Sequence, residues 1–586
     1  MTSGIGGQII PLIHLFAQRP EKMNFETDPK LKELHPAPVS SVVLEPPKPE
    51  IIPPGDQHPD LVAYLGSLAG WKPNETITSA KTDVYRTRYE PESGDLKVYV
   101  DSDKTLEEYK AVSSPEEWEM FESLAGQLKG KKILHINATA AGGGVAIMRK
   151  PEVHQFQLAG VDVQWMALSP NPAGANVTKN CFHNQFQGVA EPGNELTEER
   201  IKEYESWITQ DAPLMKDAIR GADVIIIDDW QPHLLINYIK DGYTEETPDG
   251  PVFHPPFNPS APILFRDHIH TRSELMELEG HPANTAWEYV WKTIKRADAF
   301  ITHPKDEFIP PGVPDEKVWF MPATIDKLDD LNRDLSNEEI EQGFEFVNKN
   351  LFKHMGQKPI DRNRPYIALV ARFDESKGMP EGMESYAMAR AELVARGVPK
   401  AEIPQLVMIG NGSVDDPSGP KELKKIMDLR EGIYGDVMDD IKVARVPHND
   451  KAINAVLRSA KLALQPSLAE GFESRVTDAI FLGVPVIGSD RGGIPLQIIE
   501  GKSGYVLPPA ETRQWADRIV DLMTNHDHYL QLKLSTRDMF DKHNSKFTTV
   551  RNAIRWMALS AAYLKQRENP DLILAGNRRW PEEILS

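Results

Sequence analysis

The stretch Lys131-Lys-Ile-Leu-His-Ile-Asn-Ala-Thr-Ala-Ala-Gly-Gly-Gly144 decides the fold. Its apolar run Ile133–Ile136 has the length and composition of a buried strand, and Gly142–Gly144 leads into a segment of helical character. Strand, glycine loop and helix in this order open a Rossmann-like unit. Pro151 falls inside the expected helix and predicts that the helix is kinked or shortened there.

Two series of buried strands extend this pattern, one on each side of the polar segment Asn332–Pro365, and helical stretches lie between most of them. This alternation is typical of a parallel, doubly wound sheet. The first series continues with predicted strands at Val163–Leu168, Val224–Ile227, Ile263–Arg266, Ala299–Thr302 and Val318–Met321. The second series has predicted strands at Tyr366–Arg372, Gln405–Ile409, Ile441–Val446, Lys461–Gln465 and Pro485–Gly488.

The sequence therefore predicts an α/β protein with two facing Rossmann-like domains and an N-terminal extension. We expect a proline-rich arm at 1–56, and an elaboration at 57–130 with a helix ending near Leu68 and another over Pro115–Leu128. The remaining segments are an N-terminal Rossmann-like domain (131–345), a C-terminal Rossmann-like domain (346–545), and a helix and tail returning to the first domain (546–586).

Composition restricts the class of protein. Of the 586 residues, 40% are hydrophobic and 26% are charged, which is ordinary for a globular protein. The formal charge of −21 argues against nucleic acid as a partner, so any bound anion must be met by a local cluster of cations. The single cysteine excludes an intrachain disulfide, and the first apolar run, broken by polar residues, has neither the length of a membrane span nor the basic start of a signal peptide. We expect a cytoplasmic protein that does not bind membranes.

The strongest functional signal is Arg372-Phe-Asp-Glu-Ser-Lys-Gly378, which directly follows the first strand of the second domain. Ligands of open α/β sheets bind at such strand ends. Arg372 and Lys377 are five residues apart across a tight turn, so both can reach one phosphate, with Gly378 closing the turn. The alternative is a solvated surface pair, which is the usual situation for Arg and Lys.

A second signal is Ala469-Glu-Gly-Phe-Glu-Ser-Arg-Val-Thr-Asp-Ala479, which lies between a strand and a helix. Glu470 is placed at the mouth of the sheet, where a carboxylate can accept hydrogen bonds from sugar hydroxyls. The free N–H groups at the start of the helix can donate to sugar or anion oxygens. The alternative is that Glu470 caps the helix and Asp478 is a charge on its outer face.

The first domain also places polar residues after its strands. Gly143 and Gly144 allow a close backbone approach to an anion at a helix start, although a tight turn explains them equally well. Asp229 follows the strand at Val224–Ile227, and Arg266 and His268 follow the strand at Ile263–Phe265. These polar residues are candidates for a sugar site at the edge of the cleft.

Together these segments resemble glycosyltransferase family four, the retaining enzymes of the GT-B fold, over roughly residues 131–545. The features that carry the resemblance are the Arg-x-x-x-x-Lys-Gly turn, the Glu470-Gly-Phe segment and Gly483-Val-Pro-Val-Ile-Gly-Ser-Asp-Arg-Gly-Gly-Ile-Pro495. Within that family the chain is most similar to fungal-type trehalose phosphorylases and the related clock-controlled trehalose synthase proteins, through the motifs at His135–Ala146, Arg266–Leu275, His303-Pro, Met321–Asp326 and Gly492–Ile498.

The resemblance implies reversible conversion of trehalose and phosphate into α-glucose 1-phosphate and glucose, with retention and with neither metal nor cofactor. It implies that Arg372 and Lys377 hold the phosphate and that Gly143 and Gly144 close over it. Sugar contacts are implied for a second set of residues, namely Asp229, Arg266, His268, Glu470, Gly471, Phe472 and Glu473. Five of these residues, Arg372, Lys377, His268, Asp229 and Glu470, form the expected catalytic set.

One position departs from the family pattern. Members that use nucleotide sugars have a glutamate eight residues after the first one, where it binds ribose, and this chain has Asp478 there. We therefore place a trehalose synthase with a nucleotide diphosphate glucose donor second, with Asp478 as its nucleotide contact, and a non-catalytic sugar or nucleotide sensor third. The expected partners are trehalose, glucose, phosphate or α-glucose 1-phosphate, and a homodimer is left open.

Overall fold

A computed structural model describes residues 77–78, 83–141, 144–248, 250–410, 419–447 and 449–585. Two separate α/β sheets dominate these residues, which confirms the predicted fold class. The expected helix ending near Leu68 and the arm at 1–56 lie outside the described residues, as does Gly143. No helix in the described ranges combines the length and the apolar character needed to cross a membrane.

The first sheet has nine strands among the described residues, in the order β1-β2-β3-β5-β4-β6-β9-β10-β11. Strands β4 to β6 and β9 to β11 pair in parallel, whereas β3 joins β5 antiparallel. The bounds are β1 Ile77–Thr78, β2 Tyr85–Glu90, β3 Asp95–Ser102, β4 Lys132–Asn137, β5 Asp162–Ala167, β6 Val224–Asp228, β9 Ile263–Arg266, β10 Ala299–Thr302 and β11 Val318–Phe320. A separate hairpin pairs β7 Tyr243–Thr247 with β8 Gly250–His254.

The second sheet is parallel throughout, in the order β14-β13-β12-β15-β16-β17. Its strand order reverses between β12 and β15, and such a switch point opens a crevice at the carboxyl ends of the two strands. The bounds are β12 Tyr366–Val370, β13 Gln405–Gly410, β14 Ile441–Arg445, β15 Leu462–Gln465, β16 Val486–Ser489 and β17 Gly504–Leu507. Strand β17 was not predicted, since Gly504 and Tyr505 start a short run without the expected apolar character.

Helices cover the faces of both sheets. Those of the first half are α1 Leu106–Ala111, α2 Pro115–Gln127, α3 Gly144–Leu158, α4 Pro172–Val177, α5 Asn184–Gln187, α6 Glu198–Gly221, α7 Leu235–Lys240, α8 Ser273–Met276 and α9 Pro282–Ile294. Those of the second half are α10 Asn337–Met355, α11 Met379–Ala395, α12 Gly419–Glu431, α13 Asp450–Arg458, α14 Ser474–Phe481, α15 Thr512–Thr524, α16 His526–His543 and α17 Thr549–Glu568.

Helix α3 runs through Pro151 without ending there, so the expected shortening does not occur. The ring of Pro151 is buried at the cleft, where packing outweighs the missing backbone hydrogen bond. Helix α2 confirms the predicted helix over Pro115–Leu128, and its start is fixed by a capping box between Ser114 and Glu117.

The last long helix, α17, belongs to the core of the first sheet. Its buried residues Ile554, Trp556 and Leu559 share one apolar cluster with Ile136 and Ile227 of strands β4 and β6. The chain thus returns from the second sheet to the first.

Candidate active site

A cleft of about 900 Å³ lies at the carboxyl ends of the central strands of both sheets. The first sheet contributes the segments after β4, β6 and β9, and the second contributes those after β12 and β15. Because each sheet reverses its strand order at these strands, the loops separate and leave room for a ligand. The polar residues that the sequence singles out after these strands therefore meet in one cavity.

The turn after β12 is built to hold Lys377. Asp374 accepts hydrogen bonds from the backbone N–H and hydroxyl of Ser376, at 2.9 and 2.6 Å, and so caps the short helix Glu375–Lys377. Gly378 has φ +61°, and a Cβ there would lie 2.0 Å from the carbonyl oxygen of Pro466. Only glycine fits this position, because the backbone is left-handed and closely packed. The turn thereby directs Lys377 at the segment that follows β15.

Lys377 lies between two buried carboxylates of that segment. Its Nζ is 2.5 Å from Oε2 of Glu470 and 2.7 Å from Oε2 of Glu473, and all three side chains line the cleft. Burial raises the pKa of Glu470 to about 7, against the attraction of Lys377 and with the help of the charge on Glu473. Burial also disfavours the ionised form of Glu473, but the attraction of Lys377 is stronger than this effect and lowers the pKa of Glu473 to about 2. Glu470 is thus the carboxyl of the pair that takes up a proton near neutral pH.

The Glu470 segment is held in an unusual backbone shape. Glu473 has φ +60°, a left-handed conformation that is uncommon for a residue with a side chain, and its Oε1 accepts from the N–H of Arg475 at the start of α14. Gly471 passes so close to the first domain that a Cβ would lie 2.2 Å from the carbonyl oxygen of His268. Phe472 is buried and stacks on His303 with ring centroids 5.4 Å apart.

Arg372 lines the cleft at the end of β12, two residues from the buried carboxylate of Asp374. Asp374 also receives a cation from the first domain, since Nζ of Lys179 is 2.8 Å from its Oδ2. Although burial opposes ionisation, Lys179 and Arg372 hold the pKa of Asp374 below its usual range. Two cations of the second domain, Arg372 and Lys377, and one of the first domain, Lys179, are therefore gathered around the turn after β12.

On the opposite wall, His268 is oriented by Asp228. Its Nε2 is 2.5 Å from Oδ1 of Asp228, and the imidazole borders the cleft. Burial lowers the pKa of His268, against the attraction of Asp228, and so favours the neutral ring. Asp229, the predicted sugar contact, also lines the cleft, with φ +79°, and its Oδ1 lies 3.5 Å from Nε2 of His183.

Beneath His268 lies a buried ionic cluster formed by Arg149, Glu152, Asp228 and Arg266. Arg149 forms short ion pairs with both Glu152 and Asp228, and Oε2 of Glu152 accepts from Asn552 of α17 at 2.9 Å. Arg266 donates to the carbonyl oxygen of Pro322 at 3.0 Å and is fully buried. This position corrects the expectation that Arg266 contacts sugar, because it lies below the cleft surface rather than in it.

The remaining predicted residues have clear positions. Gly144 lines the cleft as the first residue of α3. Asp478 is buried at the cleft wall, with its Oδ2 2.6 Å from Arg475, and burial raises its pKa to about 6. It is therefore neither an outer-face charge nor a freely exposed carboxylate.

Four residues at or beneath the cleft were missed by sequence reasoning, namely Arg149, Lys179, His183 and Asp228. Asp228 directly precedes the chosen Asp229 and is the only charged residue of the apolar strand β6, and this position at the strand end was the available signal. Lys179 and His183 lie four residues apart on the π-helical turn Thr178–His183, and no sequence pattern announces such a turn.

Two family models match the chain. "Trehalose synthase, N-terminal domain" matches residues 135–310, and "Glycosyl transferases group 1" matches residues 364–525. The trehalose phosphorylase of Grifola frondosa is 36% identical over 473 residues, which cover 79% of this chain and 61% of that protein. The trehalose synthase of Thermococcus litoralis is 30% identical over 406 residues, which cover 69% of this chain and 85% of that protein. The chain thus spans about three fifths of the length of the fungal relatives that it matches.

Among solved structures, a trehalose-6-phosphate synthase superposes on 74% of this chain and 99% of its own length, with a TM-score of 0.54 and 13% identity. At this identity the likeness establishes only the arrangement of two facing α/β domains. The reaction has to be inferred from the side chains of the cleft.

Proposed function

Since the chain belongs to the group 1 glycosyltransferases and carries their trehalose synthase N-terminal domain, we propose that it is a retaining trehalose phosphorylase. The reaction is the reversible conversion of trehalose and phosphate into α-glucose 1-phosphate and glucose. The fungal relatives at 36% identity carry the name of this activity. The finer choice between phosphate and a nucleotide rests on the residues of the cleft.

The observation that carries the proposal is the cluster at the switch point of the second sheet. Lys377 lies between Glu470 and Glu473, and Arg372 follows the neighbouring strand end. With one proton on Glu470 the Lys377 cluster is neutral, and Arg372 lines the same part of the cleft beside Asp374. A guanidinium and an ammonium at a strand end are suited to a phosphate dianion.

In the proposed reaction, a phosphate oxygen forms a bond to C1 of one glucose unit while the bond from C1 to the other glucose breaks. Both events occur on the same face, and the phosphate proton passes to the departing glucose oxygen, so the α configuration is retained. Positive charge grows on the ring and negative charge on the oxygens, which Arg372 and Lys377 stabilise. Glu470 and Glu473 are engaged by Lys377, so electrostatic stabilisation replaces a covalent carboxylate intermediate.

The direct test is to incubate the protein with trehalose and phosphate and to follow α-glucose 1-phosphate and its anomeric configuration. Arg372→Ala is expected to lose about 10²-fold or more in kcat/KM for phosphate, because a transition-state cation is removed. The matched control is Arg513→Ala, which deletes an exposed guanidinium from helix α15 and is expected to keep wild-type rates. Wild-type turnover in Arg372→Ala would remove the anion site from the proposal.

A trehalose synthase with a nucleotide diphosphate glucose donor is the second candidate, favoured by the archaeal relatives that bear this name. Against it, the carboxylate at the ribose position is the shorter Asp478, which is buried and paired with Arg475. Thermal unfolding separates the two, because a ligand bound only by the native state raises the midpoint. A midpoint raised by UDP or ADP, with no effect of phosphate and glucose, would reverse the order. Sugar binding without release of either product would indicate a sensor.

A further inference from the structure

The second domain has another, smaller cavity of about 300 Å³ at the opposite edge of its sheet. It lies at the amino ends of β12 and β15, whereas the cleft lies at their carboxyl ends. Strand β12 begins at Tyr366, which borders this cavity, and ends at Val370, which borders the cleft, so the two sites are roughly 13 Å apart along the strand. We call this cavity the basal pocket, and its walls are Phe344, Arg362, Arg364, Pro365, Tyr366, Ser459, Ala460, Lys461, Tyr529 and Lys533.

Every charged side chain that lines the basal pocket is basic. These four cations come from three separate segments, which are the approach to β12, the start of β15 and helix α16. Such a concentration is unexpected in a chain with a net charge of −21, where carboxylates outnumber cations. Like charges gathered in one concave site repel each other unless an anion is present.

Two of the cations are compensated by the protein. Arg362 pairs closely with Glu341 and lies over the ring of Phe344 at 4.3 Å. Arg364 is 2.6 Å from Oδ1 of Asp440. These contacts fix the two guanidinium groups in place and account for their charges.

The other two cations are not compensated in this way. The ammonium of Lys461 lies 4.6 Å from the ring centre of Tyr529, and Lys533 is four residues beyond Tyr529 on the same face of α16. Among the residues that the structure describes, no carboxylate oxygen lies within 4.0 Å of either ammonium group. Burial lowers the pKa of Lys461, against the attraction of Glu402 and with the help of the charge on Lys533.

We propose that the basal pocket binds a phosphoryl group, as inorganic phosphate or as a small phosphate ester. The phosphoryl oxygens accept from Lys461 and Lys533, while Arg362 and Arg364, paired with Glu341 and Asp440, form the neighbouring wall. The ring of Tyr529 forms an apolar wall on which the ring of a sugar or base of an ester can lie. The pocket volume suits one such molecule.

Isothermal titration calorimetry with inorganic phosphate, glucose 6-phosphate and AMP tests this proposal and separates free phosphate from the two kinds of ester. The double variant Lys461→Gln with Lys533→Gln is expected to bind the preferred probe about tenfold or more weakly at this site. The matched control, Lys424→Gln with Lys542→Gln, removes two exposed lysines of the same domain and the same total charge. It is expected to bind as the wild type does.

The arginine double variant, Lys461→Arg with Lys533→Arg, keeps both charges and is expected to retain binding. Phosphate that binds in the cleft is expected to bind the glutamine variant as well, because both substituted lysines lie in the basal pocket. A protein without phosphorylase activity and a basal pocket that binds no phosphate are therefore distinguishable results. The proposal is overturned if none of the three probes binds outside the cleft, or if the glutamine variant and its control bind with equal affinity.

Discussion

The two walls of the cleft hold their charges in different ways. On the first wall, Arg149 lies below the surface and is paired with Asp228, which orients the His268 ring at the cavity. On the second wall, Lys377 and its carboxylates line the cavity themselves. The charges of the first wall therefore orient a neutral ring, whereas those of the second are placed to meet a ligand directly.

The two walls also differ in how their positive and negative groups are balanced. The buried cluster of the first wall has two guanidinium groups for two carboxylates, and is balanced without any ligand when all four are ionised. On the second wall, Lys377 faces two carboxylates, and burial raises the pKa of Glu470 to about 7. Burial raises the pKa of Glu152 to about 7 as well, so each wall has one carboxyl that can titrate near neutral pH. The comparison teaches that the walls differ in where this charge lies, since Glu152 is buried beneath the first wall whereas Glu470 lines the cavity.

The largest effect is expected from Arg149→Met. The substitution leaves the carboxylates of Asp228 and Glu152 buried without their common partner, which costs about 3–5 kcal/mol of unfolding free energy. Arg296→Met removes an arginine paired with Asp241 near the surface, and costs less than about 1 kcal/mol. Chemical denaturation of both variants measures the difference. Equal losses would mean that the buried cluster is no scaffold.

The scaffold also shows what the sequence could predict about the fold. All the strands assigned from apolar runs are present within one or two residues at either end, because buried parallel strands read as continuous apolar segments. Strands β2 and β3 were not assigned, since Tyr85–Glu90 and Asp95–Ser102 are largely polar and are stabilised by tertiary packing at the sheet edge.

The second wall was predicted in more detail than the first. Arg372, Lys377 and Glu470 directly follow strands, so their position at the switch point follows from topology. The first-wall scaffold depends on side chains far apart in sequence, such as Arg149 and Asn552, which only the return of α17 brings together. Neither periodicity nor motif spacing reports such a contact. For Arg266, strand-end position suggested a ligand contact, whereas its side chain turns inward.

The second prediction uses pH to sharpen the contrast. The pKa of Glu470 is about 7 in the folded chain, above its ordinary value of 4.5, so the native state holds more protons than the unfolded chain in this range. The contribution of Glu470 to the free energy of unfolding therefore falls as pH rises from 4.5 to 7, by roughly 3 kcal/mol in total. Glu470→Gln removes this dependence because glutamine stays neutral.

Thermal midpoints recorded from pH 5 to pH 8 give the readout. The midpoint of Glu470→Gln relative to the wild type is expected to move in favour of the variant as pH rises. Glu511→Gln, at an exposed position just before helix α15, is the control and should track the wild type at every pH. Parallel curves for all three proteins would show that Glu470 does not change its charge in this pH range.

The smallest effect concerns the ion pair that joins the walls. Lys179→Met leaves Asp374 buried with only part of its positive surroundings, and the less compensated carboxylate then repels an incoming anion. We expect KM for phosphate to rise about tenfold, which corresponds to 1.4 kcal/mol, with a smaller change in kcat. Steady-state kinetics at varied phosphate measure both constants.

Lys421→Met is the matched control, because Lys421 also crosses between the domains, with its Nζ 3.0 Å from Glu191. Its side chain is 70% exposed and that of Glu191 is 64% exposed, so water screens the pair and its loss costs less than about 0.5 kcal/mol. If both variants change KM alike, the effect comes from joining the domains rather than from charge at the anion site. If KM for phosphate rises in Lys179→Met alone, Lys179 of the first wall assists phosphate binding by compensating the charge of Asp374.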